Sequence, residues 1–366
     1  MRFPGFTNEW KKITLGEIGE TMIGLTYSPK DVVEKGGTIV FRSSNIQNGM
    51  IDYSDLVRVT KPIKERIITK EKDILICARN GSQRLIGKNT LLTESDAGNT
   101  FGVFMMVYRS DDNDIIHPLL STKRYISQVA ENLGARINQI TISDLNSFEF
   151  FLPQESEERR KIGELFALIN ERIATQNKII DNLKSLIKGL RELFFNASYS
   201  SYISLGEIAE LYQPKTISTS DLEETGYLVY GANGIIGHYH AYNHELPQIC
   251  ITCRGNTCGQ VTLTVPNSWI TGNAMVVNID GNKDINQSFL FHFLSSYNYS
   301  SIISGSGQPQ IVRSPLAKIK VPNLDLKDQN KISRILDSVT SKVELEKNIL
   351  SHLELQKKHL VNLIFI

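Results

Sequence analysis

The segments "KKITLGEIGE" (Lys11–Glu20) and "SYISLGEIAE" (Ser201–Glu210) share the tetrapeptide Leu-Gly-Glu-Ile, 190 residues apart. Four residues can coincide by chance, so the decisive point is whether more of the chain returns in the same order. It does. "DILICARNG" (Asp73–Gly81) resembles "QICITCRGN" (Gln248–Asn256), which sets Ile74, Ile76 and Arg79 on Ile249, Ile251 and Arg254. "AGNTFGVFMMV" (Ala97–Val107) resembles "TGNAMVV" (Thr271–Val277), with Gly98 and Asn99 on Gly272 and Asn273. "INQITISDLNSFEFFLP" (Ile137–Pro153) resembles "QPQIVRSPLAKIKVP" (Gln308–Pro322). The offset drifts from 190 to about 170, as it does when surface connections change length. A long-period repeat of this kind predicts two copies of one folding unit.

Each copy reads as short strands joined by Gly/Asn-rich turns, one helix, and a last strand that ends in Leu-Pro or Val-Pro. In the first copy the strands fall near Thr38–Arg42, Asp73–Ala78, Gly102–Arg109 and Phe148–Leu152, with a helix over Pro118–Asn132. In the second they fall at Tyr227–Gly231, Gln248–Thr252, Ala274–Ile279 and Lys318–Pro322, with a helix over Gln287–Ile303. The interleaving predicts an α/β or α+β domain, and periodicity does not choose between them.

A long proline-free stretch follows each copy. Steps of 3 and 4 from Ile162 reach Leu165, Ile169, Arg172, Gln176, Ile179, Leu183, Leu186, Leu190 and Leu193, and from Ile332 they reach Ile335, Val339, Lys342, Glu346, Ile349, Leu353, Gln356, Leu360 and Leu363. Most of these positions are apolar, which predicts two coiled-coil helices with matching polar interruptions. The expected organisation is a first globular domain (1–152), a helical spacer (153–197), a second globular domain (198–323) and a second spacer (324–366). The two domains are pseudo-symmetric, and the helices between them pair antiparallel.

At 366 residues and 41% hydrophobic content the chain has ample material for real cores. It carries no apolar run of membrane-spanning length and no signal-peptide pattern, so a cytoplasmic protein without a membrane partner is expected. Cys250 and Cys253 differ by an odd number within a strand, point to opposite faces and cannot share a metal ion, so the four cysteines read as buried structural thiols. The formal net charge is +1, with 19 basic against 18 acidic residues in 1–152 and 6 against 8 in 198–323. Any affinity for phosphate therefore comes from local placement, backbone amides or a partner protein.

Two similar domains on a rigid spacer suit a target that is itself in two parts, and duplex DNA, with half-sites about 34–36 Å apart, is the natural one. Side chains for base edges are sought in loops, where Arg pairs with guanine and Asn or Gln with adenine. The first copy offers Arg42, Ser43, Asn45, Gln47, Arg79, Asn80, Gln83, Arg84, Asn138 and Gln139. The second offers Asn233, His238, Tyr239, Arg254, Asn256, Gln308, Gln310 and Arg313. No Asp/Asn-Pro-Pro-aromatic tetrapeptide and no glycine-rich loop after a first strand is present to hold a target base or a methyl donor. "GSQRLIGKN" (Gly81–Asn89) departs from a phosphate loop in spacing and in having Asn89 where Ser or Thr binds magnesium. No catalytic constellation, cofactor or metal site is expected.

The opening "FPGFTNEWKKITLGEI", the domain-closing "LPQESEERRKIGELF" and "VPNLDLKDQNKISRIL", and "YGANGIIGHY" with "ITGNAMVV" in the second copy together resemble the specificity subunit of type I restriction-modification systems. The resemblance covers the whole chain. It implies a non-catalytic subunit that reads a bipartite DNA site, one half per domain, while its helices set the gap and dock two modification (adenine N6-methyltransferase) subunits. Restriction/translocase subunits complete such a complex. The second helix stops at Ile366, so closure of the family's circular arrangement is expected from the amino-terminal residues. The alternatives are a coiled-coil scaffold whose end domains bind protein, a specificity subunit of a related multi-subunit methyltransferase-nuclease, and an enzyme with an unrecognised nuclease centre.

Overall fold

The computed structural model describes residues 2–133, 138–232, 234–305 and 307–365. The chain forms two compact units, Met1–Gln176 with Ile349–Ile366, and Asn177–Asn348. The division falls inside the two long helices, so each unit contains one repeat and half of each helix.

In the first unit, strand Lys11–Thr14 runs into a single helical turn, Leu15–Ile18, and pairs antiparallel with Glu149–Leu152. The turn starts where it does because Glu17 accepts the Thr14 N–H at 2.6 Å, half of a capping box. Ser204 and Glu207 repeat this at 2.8 Å ahead of Leu205–Ile208. The shared glycine is a packing requirement. A Cβ on Gly16 would lie 3.0 Å from Asn146 Cβ, and one on Gly206 would lie 2.9 Å from Ala317 Cβ.

The main sheet of the first unit is ordered Glu20–Ile23, Met105–Arg109, Ile74–Cys77, Asn89–Leu91, with every neighbour antiparallel. All four residues of "ILIC" are buried, because the sheet is covered on both faces. Ile74 and Ile76 face helices Asn113–Leu119 and Lys123–Leu133, while Leu75 and Cys77 face a second sheet, Thr100–Phe101, Thr38–Phe41, Val57–Val59, Val32–Val33. The second unit repeats the layers with Glu210–Tyr212, Ala274–Asn278, Ile249–Thr252, Val261–Leu263 against Gly234–Tyr239, Tyr227–Gly231, Trp269–Ile270. Among the described strands, Thr38–Phe41 with Thr100–Phe101 and Tyr227–Gly231 with Trp269–Ile270 pair parallel and the other strand pairs antiparallel, so the class is α+β. Cys250 and Cys253 do lie in different clusters on opposite faces, and burial pushes the Cys250 thiol up to about 12.

Strand register tests the repeat residue by residue. Ile74 pairs with Tyr108 and Cys77 with Met105, as Ile249 pairs with Val277 and Thr252 with Ala274, so Ile74, Ile76 and Arg79 do correspond to Ile249, Ile251 and Arg254. The match of Gly98–Asn99 with Gly272–Asn273 does not hold. Gly102 N–H bonds Phe41 O as Thr271 N–H bonds Tyr230 O, and Met105 N–H bonds Gly102 O as Ala274 N–H bonds Thr271 O. Val103 and Phe104 are therefore the counterparts of Gly272 and Asn273. The Gly-Asn identity is a coincidence of turn composition.

Helix limits also shift. Instead of one helix over Pro118–Asn132 there are two, Asn113–Leu119 and Lys123–Leu133, divided where Leu120 N–H turns back to the carbonyls of Ile116 and His117. The second unit's helix is Gln287–Ser296, ended by Ser295 and Ser296 hydroxyls on the Phe291 and Phe293 carbonyls.

The long helices span Ser156–Phe195 and Leu326–Ile364. Their repeat is the expected one, but its phase is half wrong. Burial selects Ile162, Phe166, Ile169, Ile173, Gln176, Ile180, Leu183, Ile187, Leu190 and Phe194, and Ile332, Leu336, Val339, Val343, Glu346, Leu350, Leu353, Lys357, Leu360 and Ile364. Arg172, Ile179, Leu186 and Leu193 are exposed, as are Ile335, Lys342, Ile349 and Gln356. Adjacent apolar pairs such as Ile179–Ile180 and Leu186–Ile187 let steps of 3,4 and 4,3 from one start score alike, and only packing separates them. In the first unit Phe166 stacks on Phe365 at 5.8 Å, and in the second Leu190, Phe194 and Phe195 join the core of Ile332 and Leu336. In each unit the start of one helix thus meets the end of the other, which is antiparallel pairing.

The amino-terminal residues close the first unit. Arg2 makes a two-pronged ion pair, at 2.8 and 2.7 Å, to the buried Glu158, Trp10 Nε1 donates to the same carboxylate, and the Trp10 ring lies 6.0 Å from that of Phe365.

Candidate nucleic-acid interface

The main-sheet strand of each unit ends in a loop that returns as the next strand, and this loop carries the candidate arginine. In the first unit Arg79 forms an isolated antiparallel bridge with Gln139. Ile140 N–H donates to Ala78 O at 2.9 Å and Asn80 N–H to Asn138 O at 3.4 Å. In the second unit Arg254 bridges Gln310, Ile311 N–H donates to Cys253 O at 3.0 Å and Gly255 N–H to Pro309 O at 3.0 Å. Two segments more than fifty residues apart in sequence are sewn into one corner by the same backbone bonds, twice. Both arginines are exposed, and neither has a carboxylate partner among the described residues. A structural arginine looks different: the half-buried Arg109 grips the buried Asp73 with two bonds, at 2.7 and 2.6 Å.

Each corner is tied to the turn that leaves the second sheet. Asn80 Nδ2 donates to Ser43 Oγ at 3.0 Å, and its Oδ1 accepts Ser82 N–H at 2.9 Å. In the second unit the hydroxyls of Thr252 and Thr257 both donate to Ala232 O. Arg79, Asn80, Ser43, Arg42, Asn138 and Gln139 are thereby brought together, as are Arg254, Gln310 and the hairpin that carries His238 and Tyr239.

The other candidates divide. Asn45 is buried, with Oδ1 on Arg42 N–H and Nδ2 on the carbonyls of Asp52 and Asp55, so it builds its turn and faces no ligand. Arg42 is held by Asp55 at 2.7 Å. Gln47 is exposed and caps Ser44 O. Gln83 and Arg84 are exposed but line a separate groove with Tyr125, Ile126 and Val129 of helix Lys123–Leu133. Asn256, Gln308 and Arg313 are exposed around the second corner, and Arg313 opens helix Arg313–Ala317. Tyr239 packs edge-on against Trp269 at 4.9 Å, so its ring is partly spent on the hairpin, while His238 is half-buried and its main-chain carbonyl accepts Glu223 N–H. Asn233 lies outside the described residues.

One residue escaped the sequence reading. Phe104 sits at the tip of the tight turn Gly102–Met105, 54% exposed, its carbonyl accepting N–H groups from both Ala78 and Arg79. The Arg79 guanidinium lies over its ring at 5.2 Å. The available signal was an aromatic in a "GVF" turn between two strands.

The family model described as "Type I restriction modification DNA specificity domain" matches residues 7–185 and again residues 200–355. The chain belongs to this family. The two matches coincide with the two repeats and their outgoing helices.

Relatives include the type I restriction enzyme MjaVIII specificity subunit of Methanocaldococcus jannaschii, 22% identical over 85% of this chain and 81% of that one. A putative specificity subunit of Haemophilus influenzae is 29% identical over 31% of this chain, and the EcoprrI specificity subunit of Escherichia coli is 29% identical over 37%. Those two alignments span only 29% and 34% of the relatives' own lengths. The crystal structure of the S subunit from M. genitalium is similar over 100% of this chain and 98% of its own, at 19% identity and a TM-score of 0.66. A chain from a structural study of type I system assembly and conformational transition matches at 14% identity and a TM-score of 0.51, over 99% of this chain and 98% of its own. The family rests on the model match over both repeats, and the structural likenesses show the fold. Among the described residues no helix is long and apolar enough to cross a membrane.

Proposed function

We propose that this chain is the DNA-reading subunit of a type I restriction-modification complex and that each unit reads one half of a bipartite duplex site. The observation that carries the reading is the duplicated corner: an exposed arginine bridged to a glutamine in the same backbone frame, Arg79 with Gln139 and Arg254 with Gln310. Arginine and glutamine are the side chains suited to guanine and adenine edges, and a rigid corner holds them at low ordering cost. Near-neutral overall charge leaves little for non-specific attraction, so modification subunits are expected to supply counter-charge for the phosphates.

The paired helices dock two modification subunits in this reading, and their length sets the gap between half-sites. The exposed apolar residues Leu186 and Leu193 on the first helix, and Leu345 and Leu355 on the second, give a partner something to bury. Methyl transfer belongs to those partners and cleavage to restriction/translocase subunits, and the chain works in the cytoplasm beside its DNA.

The test is to express the chain with its modification subunit and map methylated adenines across the genome. A split motif whose one half changes when residues 254–260 are replaced is expected. A motif that changes in both halves, or no sequence preference at all, would sink the proposal in favour of a protein-binding scaffold.

A further inference from the structure

The first unit carries a cleft beside its corner. Behind the Gly102–Met105 turn a cavity of about 480 Å³ opens, walled by Tyr27, Arg42, Ser43, Gly102 and Phe104. Its size is within the roughly 300–1,000 Å³ of small-molecule sites. Three observations bear on what it takes. Phe104 stands at its mouth with half its surface exposed and a guanidinium over the ring, the arrangement of a stacking platform. Arg42, in the wall, is held through Nη2 by Asp55, which leaves its Nη1 without a hydrogen-bond partner among the described residues. Gly102 is not required by the backbone: it does not have a positive φ, and a Cβ there would meet nothing nearer than 3.8 Å. Thr271 fills the equivalent place in the second unit, and Asn273 replaces Phe104. The fold therefore accepts a side chain at this position, and the first unit keeps the space empty.

We infer that the first unit captures a nucleobase that has left the duplex stack, holding it against Phe104 with its edge toward Arg42. The inference rests on the DNA reading proposed above and adds to it an asymmetry between the recognition units: the first holds an unstacked base on an aromatic ring, while the second has Thr271 and Asn273 at the corresponding places. A turn-tip aromatic that enters between bases, with a pocket to receive what it displaces, is a known route to local deformation. Phe104 is then a specificity-determining residue, because a base that unstacks easily is preferred at that position.

The test uses the full chain with its modification subunit and a duplex selected from a random pool, with 2-aminopurine placed in turn at each position of both half-sites. A several-fold rise in fluorescence is expected at one position of the half-site read by the first unit. Phe104→Asn and Gly102→Thr, which install the sister unit's residues, should each abolish that rise. Phe104→Asn should also weaken binding about 5- to 150-fold, the range one base–aromatic stack carries. Unchanged melting of Gly102→Thr checks that its effect is not misfolding. A signal that survives both variants belongs to base extrusion by the modification subunit and overturns the inference, as does selective binding with no rise anywhere in that half-site. Failure to select any duplex overturns both this inference and the DNA reading, so the two failures are told apart.

Discussion

Arg79 lies across an isolated antiparallel bridge from Gln139, and Arg254 stands in the same relation to Gln310. Each partner arrives from the far side of a helix-containing excursion, so the pair exists only after the unit has folded. Bridging holds the loop backbone; Arg254 and Gln310 stay exposed, while the Arg79 guanidinium lies over the Phe104 ring and Gln139 is half-buried.

The readouts of the two corners should separate. Arg79→Ala is expected to cost about 1–3 kcal/mol at one base pair of one half-site and to leave the other half unchanged, with Arg254→Ala doing the converse. Selection of bound duplexes from a random pool by each variant measures this. Loss of preference spread over both halves would mean that the arginines contact phosphates.

The seam register can be checked by a neighbouring pair. Ile180 is 4% exposed and Ile179 is 38% exposed. Ile180→Ala should destabilise by about 2–4 kcal/mol, whereas Ile179→Ala should change stability by about 0.5 kcal/mol or less. Denaturant melts of the two variants decide it, and equal losses would contradict the packing.

Arg109 and Asp73 form a paired charge at the base of the first unit's main sheet, with the Asp73 side chain 1% exposed. Arg109→Leu leaves that carboxylate buried without its cation and should cost about 3–5 kcal/mol. The double variant with Asp73→Asn should recover much of the loss, read by equilibrium unfolding.

His117 gives the first unit an acid sensitivity. It is buried with Nδ1 unpartnered, and burial, then the nearby Lys357 charge, push its pKa down to about 3. Below the ordinary histidine value the unfolded chain takes up a proton that the folded chain refuses, so stability is full above about pH 6.5 and falls as pH drops toward 3. Between pH 7 and pH 5 the parent should lose about 2 kcal/mol relative to His117→Leu. Parallel unfolding curves at the two pH values test it, and a constant difference would refute the burial of a neutral imidazole.

Much of the architecture was legible before any coordinates. Leu-Gly-Glu-Ile marks the same capped turn in both units because a capping box is written within four residues, and its glycine answers one close neighbour. Arg79 and Arg254 were legible because each follows a mainly apolar strand at a repeated place in the chain. Asn45 misled, since a loop asparagine reads the same whether it faces solvent or satisfies the carbonyls of its own turn. Gly98–Asn99 misled because turn residues recur without sharing a place in the sheet.

The amino-acid sequence by itself determined the duplication, the strand cores, the existence of two long helices and the family. These are local or periodic properties, set by side-chain polarity at spacings of two, three and four residues. Only the tertiary structure decided the phase of the helix seam, the bridging of Arg79 to Gln139 and of Arg254 to Gln310, and the cleft behind Phe104. Each depends on which residues meet across long sequence separation. Burial there is a property of the assembled neighbours: Ile180 and Ile179 are chemically alike, and only the partner helix makes one of them core.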